Sequence, residues 1–331
     1  MKNRKVVLTA RPDGQLKESD MRIVEEEVAE LGDGMVLLQI EHLSIDAFIR
    51  TTFDEAAFHG TAELGNAIIA LGTARVLDSR FEGLHQGDAV FGPVCAQEKV
   101  ALPGVMLQKI DDSQLPARCH LGVLGLTTGM TAYAGMLKVA KVKKDDLVVV
   151  SAAAGAVGSC ACQIAKLEGA TVIGIAGGEE KGRFLREEIG CDSTIDYKQG
   201  NVSEQLMELA PEGVDVFFDN VGGEILDDVL ANIRPGARIV ICGAISQYER
   251  VGEVNGPVNY LKLAERNASM GGFTVNYFEP DYPEMQENLS KWVMEGSLRL
   301  PEHIEEGIDQ FPKALTLLFS GGHKGKLMVA P

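Results

Sequence analysis

The sequence predicts an α/β protein: a doubly wound, parallel-sheet domain inserted into a split, β-rich, barrel-like domain. Three observations predict it. Residues 127–297 alternate apolar, β-rich runs with amphipathic helical stretches, the pattern of a parallel sheet covered on both faces. The first 125 residues instead read as strands separated by Gly and Asp turns. The last thirty residues end in one more strand, which is expected to return to the first domain and so split it. The expected boundaries are 1–125 with 300–331 for the β-rich domain and 126–299 for the α/β domain.

In the first domain, residues 35–41 and 70–77 are strand-like, and Gly87-Asp88 turns into the strand Ala89-Val90-Phe91. The second domain opens on Leu147-Val148-Val149-Val150-Ser151, which reads as a fully buried strand. A helix is expected over 155–167, a second strand over 171–176 and a helix over 179–189. A short third strand follows at 194–197, then a helix at 202–209 and a fourth strand at 214–219. A helix at 224–233, a fifth strand at 238–242, a sixth at 272–275 and a helix at 283–295 complete it. Right-handed crossovers between such units give the doubly wound sheet. Lys326-Leu327-Met328-Val329 supplies the final strand.

Composition agrees. The 331 residues suffice for two domains, and 45% apolar content lets each bury a core. Aromatics are only 6% while glycines number 37, which suits many tight strand-to-helix turns. Lys and Arg total 31 against 48 Asp and Glu, a net charge of −17. That balance repels nucleic acid and anionic membranes, and no basic run offsets it. The six cysteines form no Cys-x-x-Cys pair, so buried free thiols in a reducing cytoplasm are expected. The start MKNRKVVL soon meets Arg11-Pro12-Asp13, without the apolar core of a signal peptide. No apolar run has bilayer-spanning length.

The first motif with chemistry is Ser151-Ala152-Ala153-Ala154-Gly155-Ala156-Val157-Gly158, between the first strand of the second domain and its helix. Gly155 would let backbone approach a pyrophosphate, Gly158 would let the helix lie close on the sheet, and the helix N-terminus would supply N–H groups and positive potential. Ala153 stands at the first glycine of a Gly-x-Gly-x-x-Gly signature, so the turn alone reads equally as a small-residue connection. The βα repeats that follow favour a dinucleotide. An NAD site usually ends its second strand in Asp or Glu; here that strand ends in Ala176-Gly177-Gly178, with Lys181 and Arg183 close behind. A missing carboxylate and a nearby lysine make room for a 2′-phosphate, and Tyr197 could add a hydroxyl. Lys181 reads alternatively as a solvated helix residue.

These residues resemble the zinc-free medium-chain dehydrogenase/reductases, and more narrowly the group of leukotriene B4 12-hydroxydehydrogenase/prostaglandin reductases, bacterial curcumin reductases and plant alkenal double-bond reductases. The resemblance covers nearly the whole chain. It is carried by the turn at 152–159, by Phe218-Asp219-Asn220-Val221-Gly222-Gly223-Glu224 and by Ile241-Cys242-Gly243-Ala244-Ile245-Ser246-Gln247-Tyr248, with weaker support from Leu43-Ser44-Ile45-Asp46, Thr131-Ala132-Tyr133 and Gly325-Lys326. It implies a Rossmann domain inserted in a GroES-like domain, NADPH as cofactor, a homodimer, and reduction of the C=C bond of α,β-unsaturated ketones or aldehydes. It places Gly155, Ala156, Val157 and Gly158 on the pyrophosphate and Lys181 and Tyr197 on the adenosine phosphate. Asn220, Cys242, Gly243, Ala244, Ile245, Ser246 and Tyr248 would line the ribose and nicotinamide, with Phe273, Thr274 and Val275 beside the ring.

The chain departs from the group's pattern in three places. Ala47-Phe48 replaces Pro-Tyr, Glu265 falls near a tyrosine that some members carry, and His323 replaces the asparagine of Gly-x-Asn-x-Gly-Lys, a further expected cofactor contact. Zinc-dependent cousins need a cysteine where Ser44 and Asp46 stand, and His59 lacks the Gly-His-Glu order of a zinc site. No metal is therefore expected. Hydride transfer to an enone needs a donor near the developing enolate oxygen, and Tyr248 and Tyr260 are the candidates. Tyr248 reads alternatively as packing beside the cofactor, and Tyr260 as a buried helix residue. Quinone reduction and non-catalytic NADPH sensing are the other readings of the same fold.

Overall fold

The computed structural model describes residues 1–54, 59–249, 254 and 256–331. The chain divides into two compact units, Met1–Gly122 with Glu302–Pro331, and Val123–Pro301.

The first unit begins with the antiparallel pair β1 (Lys2–Leu8) and β2 (Met21–Glu27). Strand β3 (Met35–Ser44) is its spine. The short helix α1 (Phe48–Thr51) follows, then β4 (Gly72–Ser79), β5 (Ala89–Gly92), β6 (Lys99–Pro103) and β7 (Gln108–Ile110). Strand β3 pairs antiparallel with β4 along one edge, and with β6 along the first half of its other edge. Val36, Leu38, Ile40 and Leu43 of β3 are buried; the first three follow the period-2 alternation of a strand with one face on a core.

The second unit is a six-stranded parallel sheet. After a helical stretch around α2 (Thr131–Tyr133), the chain forms β8 (Leu147–Val150), α3 (Ala156–Leu167), β9 (Thr171–Ala176), α4 (Glu179–Phe184), β10 (Ser193–Asp196) and α5 (Val202–Leu209). Then come β11 (Val214–Asp219), α6 (Gly223–Leu230), β12 (Ile233–Ile241), α7 (Leu261–Glu265), β13 (Ser269–Gly272) and α8 (Tyr282–Met294). The sheet order is β10-β9-β8-β11-β12-β13. Counted within the unit this is 3-2-1-4-5-6, the doubly wound order whose switch point lies between its first and fourth strands. Val148, Val149, Val150, Val216, Phe217 and Phe218 of the two central strands are almost fully buried, which is why these strands read as unbroken apolar runs.

The chain then returns to the first unit. Strand β14 (Glu302–Glu306), α9 (Phe311–Ser320) and β15 (Lys326–Ala330) form a parallel βαβ connection. Strand β15 pairs with the second half of β3 through Met328–Ser44 and Val329–Leu43. The inserted α/β unit and the returning strand are as expected.

Several expected elements shift. The sixth strand of the inserted sheet is Ser269–Gly272, three residues earlier than the apolar Phe273 and Val275 suggested. As an edge strand it needs no apolar run, and Phe273 packs elsewhere. The fifth strand starts at Ile233, so α6 ends at Leu230: Pro235-Gly236, which looks like a break, sits in a bulge where Val214 pairs Ile233 but Val216 pairs Arg238. The helix expected over 179–189 becomes a π-turn after Phe184 and stops at the left-handed Gly190. Among the described residues no helix is long and apolar enough to cross a membrane.

Candidate active site

The switch point of the inserted sheet carries the glycine turn. Strand β8 runs into Ser151, and Ala152 takes a left-handed φ of 46°, a strained choice for a residue with a side chain. The chain doubles back so that Gly155 N–H donates to Ala152 O at 3.0 Å. Gly155 then begins α3 in extended conformation, and no side chain caps the helix. The first-turn N–H groups at Ala156, Val157 and Gly158 have no partners within the helix and carry its positive end. A β-carbon at Gly158 would lie 2.3 Å from Ala152 O and 2.7 Å from Ala153 Cα, whereas one at Gly155 would meet only Ala152 O, at 3.2 Å. Gly158 thus serves the close seat of helix on sheet, and Gly155 keeps the turn open to an incoming group. This uncapped, small-residue cradle fits a pyrophosphate.

Beside the turn, the ends of β8, β11 and β12 are tied by a network whose key members, Ser151 and Asp219, were not among the expected site residues. Asp219 is fully buried. Its carboxylate accepts Ser151 Oγ–H at 2.8 Å, Val221 N–H at 2.9 Å and Gly222 N–H at 3.0 Å. Ser151 Oγ in turn accepts Asn220 N–H at 2.8 Å, and Asn220 Nδ2 donates to Ser151 O at 2.8 Å. Burial pushes the Asp219 carboxyl up, against the pull of those donors. The backbone carbonyl of Asp219 accepts Cys242 N–H at 2.8 Å and Gly243 N–H at 3.1 Å. The available signal was an aspartate closing an apolar strand, Phe217-Phe218-Asp219.

The segment after β12 therefore lies against Asn220. Ile245 N–H donates to Asn220 O, and Ser246 Oγ–H donates to Val221 O at 2.6 Å. Tyr248 folds back over it: its hydroxyl accepts Ala244 N–H at 3.2 Å, and a β-carbon at Gly243 would lie 3.0 Å from that oxygen. Burial raises the Tyr248 phenol, and burial with the nearby Asp219 pushes the Cys242 thiol up to about 12. Cys242 is therefore a neutral thiol near neutral pH rather than a nucleophile.

The remaining expected residues fall elsewhere in their units. Lys181 is half-buried on α4, and Tyr197 is exposed just after β10. Phe273 follows β13 and packs with Phe218 against Gly135, where a β-carbon would lie 2.4 Å from Phe218 Cε2 and 2.9 Å from Phe273 Cζ. Thr274 and Val275 lead into a 3-10 turn. Tyr260 is not a buried helix residue: it is 56% exposed on the turn Val258–Tyr260, and that turn is held to α6 by Asn259 N–H to Asp227 Oδ1 at 2.8 Å rather than to the Tyr248 segment. Glu265 is an exposed partner of Lys262.

In the first unit, Phe48 stacks at a tilt on His59, with ring centroids 5.4 Å apart. His59 is exposed. His323 is buried in the turn between α9 and β15. Where zinc-dependent relatives would need a ligand, Asp46 accepts Ser44 Oγ–H and lies 2.7 Å from the buried ammonium of Lys326. A fixed cation already occupies that carboxylate, so the residues present do not fit a metal. Among the described residues no group of three or more His, Cys, Asp and Glu could hold one.

Comparison with known proteins agrees with this geometry. Residues 156–291 match the family model described as zinc-binding dehydrogenase, and residues 4–110 match the N-terminal domain of oxidoreductase. The chain is 36% identical to a 2-alkenal reductase (NADP(+)-dependent) of Nicotiana tabacum, over 99% of this chain and 97% of that one. It is 33% identical to the NADPH-dependent curcumin reductase of Escherichia coli (strain K12), over 99% and 96%. The crystal structure of CurA from Vibrio vulnificus in complex with NADPH superposes with a TM-score of 0.93 at 31% identity, over 99% of this chain and 98% of that one. The chain thus belongs to the zinc-independent branch of the medium-chain dehydrogenase/reductase superfamily that holds the curcumin, alkenal and prostaglandin reductases.

Proposed function

We propose that this protein is an NADPH-dependent reductase of the C=C bond in α,β-unsaturated ketones and aldehydes, and that it works as a cytoplasmic homodimer. The observation that carries the reading is the uncapped glycine turn at the switch point of a 3-2-1-4-5-6 sheet, joined to the Ser151–Asp219–Asn220 network. The named activities of the curcumin and alkenal reductase relatives support the substrate class. The α/β unit is the nucleotide-binding domain in this reading. Gly155 to Gly158 receive the pyrophosphate, Lys181 and Tyr197 the adenosine phosphate, and Asn220 with residues 242–246 the nicotinamide ribose.

When bound, NADPH supplies the hydride that reaches the β carbon of the conjugated carbonyl. Charge then moves to the carbonyl oxygen, which needs a hydrogen-bond donor. Tyr248 is suited to that task. Its oxygen already accepts the Ala244 N–H, which leaves its own proton to donate to another acceptor, and its raised phenol stays protonated. Tyr260, exposed on a turn tied to α6, has no such support. For the dimer, β13 is an edge strand with an unpaired side among the described residues, and its Met270 is exposed, as are Val258 and Leu261 in the segment before it. Six free cysteines support a reducing compartment.

The test is consumption of NADPH with a panel of enones, enals and quinones, with product mass measured. A saturated ketone or aldehyde is expected. Turnover confined to quinones would move the activity to quinone reduction, and tight NADPH binding without turnover would make the chain a sensor.

A further inference from the structure

We infer that Lys198, beside Tyr197, is a specificity-determining residue that selects NADPH over NADH. This rests on the cofactor reading above. In a doubly wound dinucleotide site, the end of the second strand carries the acidic side chain that binds the ribose 2′-hydroxyl. Here β9 ends at Ala176 and the next residue is Gly177. The space a side chain would take there is filled from the residues just after β10. A β-carbon at Gly177 would lie 2.8 Å from Lys198 Cε and 2.8 Å from Tyr197 Cζ.

The backbone builds this crossing. Asp196, the last residue of β10, accepts Gly178 N–H at 2.9 Å and Lys198 N–H at 3.0 Å on one carboxylate oxygen. That double acceptance draws the β9–α4 turn and the chain after β10 together. It lays the Lys198 stem and the Tyr197 ring over Gly177. Gly178 follows with a φ of 93°, a left-handed conformation that suits glycine. Among the described residues no carboxylate forms an ion pair with Lys198, although Arg186 and Lys166 of the same unit are paired with Glu179 and Asp192. The stem of a lysine thus crosses the residue that follows the second strand, where an NAD-selecting site would carry a carboxylate. Its charge suits a phosphate monoester on the ribose and gains far less from a plain hydroxyl.

The experiment titrates Lys198→Met with NADPH and with NADH, following nicotinamide fluorescence, beside the unmodified chain. The Kd for NADPH is expected to rise roughly ten- to thirtyfold, as for loss of one charge-assisted hydrogen bond. The Kd for NADH should change by less than about twofold and also reports that the site is folded. Lys198→Arg should keep most of the preference. Gly177→Ala should lower the preference as well, by displacing both side chains. Equal weakening of both coenzymes by Lys198→Met, or none for either, would overturn the inference. An unmodified chain that binds NADH as tightly as NADPH would instead overturn the cofactor reading on which it stands.

Discussion

Replacing Gly158 with alanine tests the phosphate turn most directly. The added methyl carbon would start 2.3 Å from Ala152 O, while β-carbons essentially never come within 3.0 Å of such an atom. The helix must therefore back away by at least the difference, about 0.7 Å, because neighbours are backbone with little freedom. Ala152 is already in the left-handed region and cannot rotate its carbonyl aside cheaply. Overpacking of this kind costs about 1–3 kcal/mol. The displaced N–H groups of α3 also lose alignment with a phosphate. Hydrogen bonds to charged groups contribute about 1.5–3 kcal/mol each, so weakening one or two predicts roughly a hundredfold rise in the Kd for NADPH. Gly155→Ala provides the contrast, since its methyl meets one atom at 3.2 Å. It should leave thermal stability near that of the unmodified chain but weaken NADPH by filling the approach of the pyrophosphate. Thermal unfolding and coenzyme titration of both variants make the comparison. If Gly158→Ala melted and bound NADPH as the unmodified chain does, the close-seat reasoning would be wrong.

Two further outcomes follow from buried charges. Lys326→Met should destabilise the chain by about 3–5 kcal/mol in urea unfolding, because it removes the cation that faces the buried Asp46 carboxylate; adding Asp46→Asn should restore much of the loss, and a single-variant effect below about 1 kcal/mol would contradict the pair's role. For Asp219, burial raises the carboxyl above the ordinary aspartate value of 3.8, so folding favours its neutral form. That contribution is full below the unfolded value and is lost as pH rises through the raised folded value. The unfolding free energy of the unmodified chain, taken relative to Asp219→Asn, should therefore fall as pH climbs through that window. A difference independent of pH would refute the assignment.

Much of the inserted domain was legible because its central strands are buried on both faces and so announce themselves as apolar runs. The β9 and β11 bounds and α5 were read to the residue. The edge of the sheet was not, because β13 pairs on one side only and its Ser-Met-Gly-Gly needs no apolar signature. The bulge at Pro235-Gly236 was hidden for another reason: turn residues inside a strand look like its end. At the site, the glycines could be expected from the turn motif, and the Asn220 and Tyr248 segments only from the family resemblance. Asp219 and Ser151 could not, since their importance lies in hydrogen bonds between residues 68 positions apart. Lys198 was hidden by exposure: in sequence it is an ordinary surface lysine, and only the absent side chain of Gly177 shows what it crosses.

The pairing of β15 with β3 bears on how the polypeptide matures. The Lys326–Asp46 contact closes across 280 positions. During synthesis the far half of one β3 edge lacks its β15 mate until residues 326–330 have been made. Closure entropy grows only logarithmically with length, and independent collapse of the intervening α/β body shortens the effective tether. The expected sequence of events is therefore nested: the interior body acquires its shape first, and the surrounding sheet is completed last. Until then the bare ladder of β3 is the segment most exposed to wrong pairing, and the place where a chaperone would be needed.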